Sequence, residues 1–166
     1  MLSKTMQDAI NEQIMHEYYS SYLYLSMAAY FEAHNLTGFG HWMRIQSDEE
    51  RGHAMKFFDF VLDRGGSVVL HAIAQPPTDW TSSMEVFKQV QEHEQKVTSL
   101  INKLYKLALK ENDYPTQVLL HWYINEQVEE EKNAAQIVDH LQLIEDRGTA
   151  VLMLDKQLGK RGGEAD

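Results

Sequence analysis

The sequence predicts an all-α fold: a four-helix bundle with one long crossover between its second and third helices, plus a short fifth helix at the C-terminus. Three observations lead there. Four long segments carry apolar residues at alternating spacings of three and four, the seam of a bundle helix. Two of the connections between them are only three or four residues long, which permits antiparallel hairpins and nothing else. The third connection, from Ser67 to Thr81, contains Pro76-Pro77 and cannot be helical throughout. Some 16 extended residues cover about 50 Å, and a helix of about 27 residues is roughly 40 Å long. The linker can therefore return along the bundle and leave the second and third helices parallel.

Taken in order, the first helix is expected from about Thr5 to His34, with a seam of Ile10, Ile14, Glu17, Ser21, Tyr24 and Ala28. Asn35-Leu36-Thr37-Gly38 is a short break. The second helix, about Phe39 to Arg64, repeats the rhythm through Phe39, Met43, Gln46, Glu50, His53, Phe57 and Phe60, and Gly65-Gly66 supplies a left-handed stop. Within the linker, Val68-Val69-Leu70 is a small β-like patch. Ser82 and Glu85 then offer a capping box before a third seam of Phe87, Val90, Glu94, Val97, Ile101, Leu104 and Ala108. Glu111-Asn112-Asp113 ends that helix, and Pro115 suits the first turn of a fourth. The fourth seam runs through Leu120, Tyr123, Gln127, Glu130, Ala134, Ile137, Leu141 and Ile144, with Arg147-Gly148 as its C-cap. A fifth helix from about Thr149 to Leu158 is amphipathic, and Lys160 to Asp166 reads as a polar, mobile tail.

The length of 166 residues suits a single domain, with the bundle at about 5–147, the fifth helix at about 149–158 and the tail at 160–166. Apolar content of 43% argues against disorder, and a formal charge of −10 argues against nucleic acid or an anionic membrane as partner and favours cations. There is no cysteine, which excludes disulfides, thiolate zinc sites and iron–sulfur clusters. The N-terminus lacks the apolar run of a signal peptide and no stretch is long enough to span a bilayer, so a cytoplasmic location is expected.

Chemistry enters where the seams break their own rule. Each is apolar except near its middle, where Glu17, Glu50, Glu94 and Glu130 stand at positions that call for Leu, Ile or Ala. Glu50-x-x-His53 places a carboxylate and an imidazole on one helix face, a metal-ligand spacing. The pattern repeats across the two hairpins: Glu17 precedes Glu50 by 33 residues, Glu94 precedes Gln127 by 33, and Gln127-x-x-Glu130 answers Glu50-x-x-His53. No Lys or Arg falls at a central seam position. Four carboxylates cannot stay ionised together in a core, since even one unpaired buried charge costs several kcal/mol. Two divalent cations would cancel them, with His53 and Gln127 as neutral members of the shell. Oxygen-rich ligation with one imidazole suits iron or manganese, and a pair of irons bridged by Glu50 leaves positions open for dioxygen or peroxide.

The chain resembles the prokaryotic non-haem ferritins, whose ferritin-like bundle has this connectivity. The resemblance covers nearly the whole length and rests on Glu17, the Glu49-Glu50-x-x-His53 stretch, Glu94 within His93-Glu94-Gln95, and Trp122-Tyr123-x-x-Glu126-Gln127-x-Glu129-Glu130-Glu131. It implies that Glu17, Glu50 and His53 bind a first iron and that Glu50, Glu94 and Glu130 bind a second, with Gln127 close by. It also implies a third iron site at Glu49, Glu126 and Glu129 toward a cavity, and a redox or hydrogen-bonding role for Tyr24 beside the centre. Family members oxidise Fe(II) with dioxygen or hydrogen peroxide and store ferric oxyhydroxide mineral inside a hollow homo-oligomeric shell of 24 subunits.

Related families fit less well. In bacterioferritin the second hairpin ends in Glu-x-x-His and a haem-ligating Met follows the first motif's Glu; here those places hold Gln127-x-x-Glu130 and Arg51, so no haem is expected. Rubrerythrins need cysteines. A di-iron oxidase that forms no cage and an acidic helical adaptor remain as alternatives, and the fifth helix, with no evident place on the bundle, favours a neighbouring subunit. The other seven histidines, His93 among them, read as surface or interface, the methionines as core, and Trp122 as packing. Gly52 suggests close approach by another group.

Overall fold

The computed structural model describes residues 1–145 and 147–162, folded as five helices: α1 (Lys4–Ala33), α2 (Thr37–Asp63), α3 (Ser83–Lys110), α4 (Tyr114–Ile144) and α5 (Gly148–Leu158). α1 pairs with α2 and α3 with α4 as antiparallel hairpins, α1 also meets α3, and α5 lies on α2 with a lighter touch on α4. This is the predicted bundle. The ends follow local chemistry. Ser3 caps α1 by accepting from the Met6 N–H, and Asp113 caps α4 by accepting from the Thr116 N–H, with Pro115 in the first turn. Ser82 accepts from the Glu85 N–H, but Glu85 turns to the N–H and hydroxyl of Thr81 at 2.6 Å each, so the capping box is shifted by one residue. Gly65, at φ +70°, stops α2 as expected.

Several expectations are corrected. The residue that ends α4 is Glu145, in the left-handed region at φ 47°, while Gly148 opens α5 instead of closing α4. Val68-Val69-Leu70 forms no strand among the described residues; the crossover is irregular and tied to α1 at both ends. There Asn11 Nδ2 donates to the Ser67 carbonyl at 3.0 Å and the Ser26 hydroxyl to the Pro77 carbonyl at 2.6 Å, while Trp80 is buried edge-on against Tyr30. Met1 and Met153 are exposed, so the methionines are not uniformly core. Nothing lies within 4 Å of where a Gly52 Cβ would be, which removes close approach within the subunit as its explanation.

The fifth helix also has a place on its own bundle. α2 starts at Leu36-Thr37 without a side-chain cap of its own, and Asp155 of α5 supplies one, accepting from the Phe39 N–H at 2.8 Å. The fit demands Gly38, because a Cβ there would sit 1.8 Å from the Asp155 carbonyl oxygen, and a Cβ at Gly159 would lie 3.0 Å from the Gly38 Cα. The tail is held as far as it is described: His41 Nε2 donates to the Arg161 carbonyl at 3.0 Å, and the Arg161 guanidinium lies 4.6 Å over the Trp42 ring. The expected mobile tail is therefore docked through Gly162, and 163–166 lie outside the described residues.

Packing divides the core in two. One apolar cluster, around Phe31, Phe39, Trp42, Phe87 and Ile137, fills the end nearer α5. The other, around Met6, Ile10, Phe57, Ile101, Leu120 and Tyr123, fills the opposite end. Edge-to-face contacts of Phe39 and Trp42 with Phe87 at 5.4 and 5.6 Å, and the Phe57–Tyr123 stack at 4.0 Å, each add about 0.5–1.5 kcal/mol beyond area burial. Between these two dry ends lies the layer of seam carboxylates.

Candidate metal centre

Each helix of the bundle contributes one carboxylate to that layer because each places a Glu at a seam register, where neighbours three and four residues away face inward. Glu17, Glu50 and Glu94 are each 1% exposed and Glu130 is 5%. His53 and Gln127 are buried with them, and Tyr24 is completely so. Ligand atoms of Glu17, Glu50 and His53 lie within 4.8 Å of one another, and no other group of three is that tight among the described residues. His53 Nδ1 is 3.2 Å from Glu50 Oε2. Glu94 faces this trio from α3, holding a short hydrogen bond from the Tyr24 hydroxyl and one at 3.2 Å from Gln127 Nε2.

Two glutamines that the sequence did not single out as site residues complete the pattern. Gln13, one turn before Glu17, donates to Glu17 Oε1 at 2.8 Å, and Gln46, one turn before Glu50, crosses the layer to donate to Glu130 Oε2 at 2.8 Å. With Gln127 on Glu94, three of the four carboxylates accept from an amide; on Glu17 and Glu130 that fixes one oxygen, while Glu94 is held at both, by Gln127 on Oε2 and Tyr24 on Oε1. Gln46 had a visible signal, a polar residue at a core register; Gln13 could have been found as the i−4 neighbour of Glu17. Tyr123 donates to the His53 backbone carbonyl at 2.7 Å, and Trp122 packs edge-on to the His53 ring at 5.3 Å under the Lys56 ammonium.

Electrostatics follow from crowding. Burial, then repulsion from Glu50, pushes the Glu17 carboxyl up to about 8. Burial and the charges of Glu94 and Glu130 raise Glu50 well above the carboxylate range, and burial raises Glu94 as well. Glu130 is pushed up to about 7 by burial and by Glu94. Burial, with Glu94 beside it, raises the Tyr24 phenol. In the absence of cations, protons neutralise the layer; a divalent ion arriving at neutral pH has to displace them. The donor set, carboxylate oxygens with one imidazole and an amide oxygen at the edge, suits hard or borderline divalent ions such as Fe(II).

The remaining predicted residues stand apart from this layer. Glu126 is half-buried, Glu49 and Glu129 are exposed, and the three form no tight group. Glu49 instead pairs with Arg161 at 2.5 Å. His93 is half-buried: it packs on the Tyr19 and Tyr24 rings and meets the Ser20 hydroxyl at 2.7 Å, and burial, with Lys96 and His16 nearby, pushes it down to about 4. No described helix is long and apolar enough to cross a membrane.

Comparison with known proteins points the same way as the layer. A family profile described as a ferritin-like domain matches residues 7–144. The chain is 45% identical over 161 residues to a bacterial non-heme ferritin of Bacteroides fragilis, covering 97% of this chain and 100% of that one. It is 36% identical to a bacterial non-heme ferritin of Staphylococcus aureus, covering 97% of each. Among solved structures, an open pore ferritin from the hyperthermophilic archaeon Archaeoglobus fulgidus superimposes with a TM-score of 0.96 at 50% identity, over 97% of this chain and 99% of that one.

Proposed function

The chain belongs to the ferritin family, and from that premise we propose that it is an iron-storage protein that oxidises Fe(II) at a di-iron ferroxidase centre inside each subunit. Glu17, Glu50 and His53 hold the first Fe(II), and Glu50, Glu94 and Glu130 the second, with Glu50 bridging and Gln127 beside the pair. The observation that carries this reading is the buried layer itself: four carboxylates, one from each helix, with Glu17, Glu50 and His53 already within 4.8 Å and no Lys or Arg at the seam positions. Such a layer is costly to fold unless cations enter it.

The protein's own groups then account for the reaction. Gln13, Gln46 and Gln127 fix the carboxylate rotamers, which lowers the reorganisation required as the ions arrive. Glu17 and Glu130, protonated up to about 8 and about 7, release protons as Fe(II) binds. Two Fe(II) supply two electrons, enough to reduce one dioxygen to hydrogen peroxide or one hydrogen peroxide to two waters, each with uptake of two protons. The proton balance at the site thus favours the reaction. Tyr24, hydrogen-bonded to Glu94, orients that ligand and stands close enough to donate an electron. Glu49, Glu126 and Glu129 form a third iron site on the cavity side. The product is stored as ferric mineral in a hollow cytoplasmic shell of 24 subunits, and no haem takes part.

Aerobic addition of Fe(II) should give a fast oxidation phase and a soluble particle retaining many irons per subunit. Glu50→Ala is expected to remove the fast phase, and an unchanged rate would sink the di-iron assignment. Storage has a separate test. Tyr22 and Leu25 of α1 and Ile73 of the crossover leave an apolar groove exposed on one face, which favours association. Since α5 docks on its own bundle, it does not by itself demand a neighbour, and the rival reading is an oxidase of the same fold without a cage. Sedimentation showing only monomers or dimers decides for that rival.

A further inference from the structure

From the docked tail we infer that Arg161 is a tethered cation that occupies one carboxylate oxygen of Glu49 and, through Gln46, sets the orientation of Glu130, so that a metal ion taking up that oxygen has to displace it. The inference rests on the third-site reading of Glu49 given above and adds the residue that regulates it. The guanidinium divides its two arms. Nη2 meets Glu49 Oε2 at 2.5 Å, and Nη1 donates to Gln46 Oε1 at 2.8 Å. The amide of the same Gln46 donates to Glu130 Oε2 at 2.8 Å, so two hydrogen bonds lead from the tail to a carboxylate of the buried layer. The Arg161 side chain is 23% exposed and its guanidinium lies over Trp42, an environment that holds a planar cation in one place.

The backbone keeps it there. From Gly159 against Gly38, the tail runs along α2 past His41, Trp42 and Ile45 to Glu49, with Gly162 at φ +74° and its Cβ position 3.1 Å from Ile45. Gly159 thus anchors the tail at the start of α2, and Arg161 spans the turns from His41 to Glu49. Arg161 and a metal ion are alternative answers to the same negative charge. With Arg161 in place Glu49 is satisfied and Gln46 is fixed; a metal leaving the centre toward Glu49 frees the guanidinium and loosens the Gln46–Glu130 bond. The arginine therefore makes transfer out of the centre a displacement step and keeps the outer position empty at low iron.

Calorimetric titration of the metal-stripped, assembled protein with Zn(II), which is redox-silent, tests this. Two tight binding events per subunit followed by a weaker third are expected, with anomalous scattering placing the third ion at Glu49. Arg161→Gln should tighten the third event about fivefold or more, the strength of a half-exposed ion pair that the metal no longer displaces, and leave the first two in place. Arg161→Lys keeps the charge and should retain the weak third event, which a merely structural anchoring of the tail would not do. A third event of equal affinity in wild type and Arg161→Gln, or its absence from both, overturns the inference. Loss of the two tight events from wild type would instead overturn the di-iron reading.

Discussion

Replacing Glu17 by Gln in metal-stripped protein separates the cost of the carboxylate layer from everything else in the bundle. The side chain keeps its shape and the oxygen that accepts from Gln13, but can no longer ionise. In the folded chain the Glu17 carboxyl is pushed from 4.5 to about 8. A carboxyl raised by folding contributes its full stability below the unfolded value, where both states are protonated, and loses it as pH rises through the folded one. Wild-type apo-protein should therefore weaken between about pH 4.5 and pH 8. The gap corresponds to roughly 4–5 kcal/mol per subunit, but Glu50, Glu94 and Glu130 share the same field, and relieving one lowers the others. A gain on the order of 2–4 kcal/mol at pH 8 is the expected net effect of Glu17→Gln. Urea unfolding of chelated protein at fixed concentration, from pH 5 to pH 8.5, measures it. The two proteins should converge near pH 5 and separate as pH rises, and Zn(II) at pH 8 should raise the wild type more than the variant. Parallel curves across the whole range would refute the argument that ionisation of the layer, and not its packing, is what metal relieves.

Two further perturbations address how the site is framed. Asp155→Ala removes the only side-chain acceptor at the start of α2 among the described residues and should cost about 1 kcal/mol, with faster hydrogen exchange in α5 and the first turn of α2; unchanged exchange in α5 would show that it is held by other contacts. Gly52→Ala, on an exposed turn with nothing within 4 Å, should stabilise the subunit by about 0.5–1 kcal/mol in denaturant unfolding. A destabilised Gly52→Ala particle whose isolated subunits gain stability would mean that a neighbouring subunit covers that position.

The contrast between Glu50 and Arg161 shows how legible this protein is. Glu50 announces itself because it violates a periodic pattern at a predictable depth, and the same violation recurs on all four helices. Gln46 sat on the same seam and was visible as a polar intruder, yet its partner Glu130, 84 residues away, was not. Arg161 and Asp155 gave no signal at all: each is a charged residue in a short terminal segment, where a solvated surface is the ordinary outcome. Glu145 ended α4 in a left-handed turn that Gly148 was expected to provide, since an intrinsic preference for glycine says where such a turn is cheap and not where the chain must bend. Gly52 was conspicuous in sequence and is left unexplained by every contact in the subunit.

The sequence by itself determined the helices, their antiparallel pairing, the parallel crossover and the depth of the four carboxylates, because helical periodicity and loop length are local and each fixes a face or a distance. Only the tertiary structure decided which oxygen each glutamine holds, that α5 caps α2 through Asp155, and that the tail's Arg161 reaches Glu49. Those are contacts between segments whose spacing in the chain carries no period, so their partners exist only once the bundle has brought the segments together.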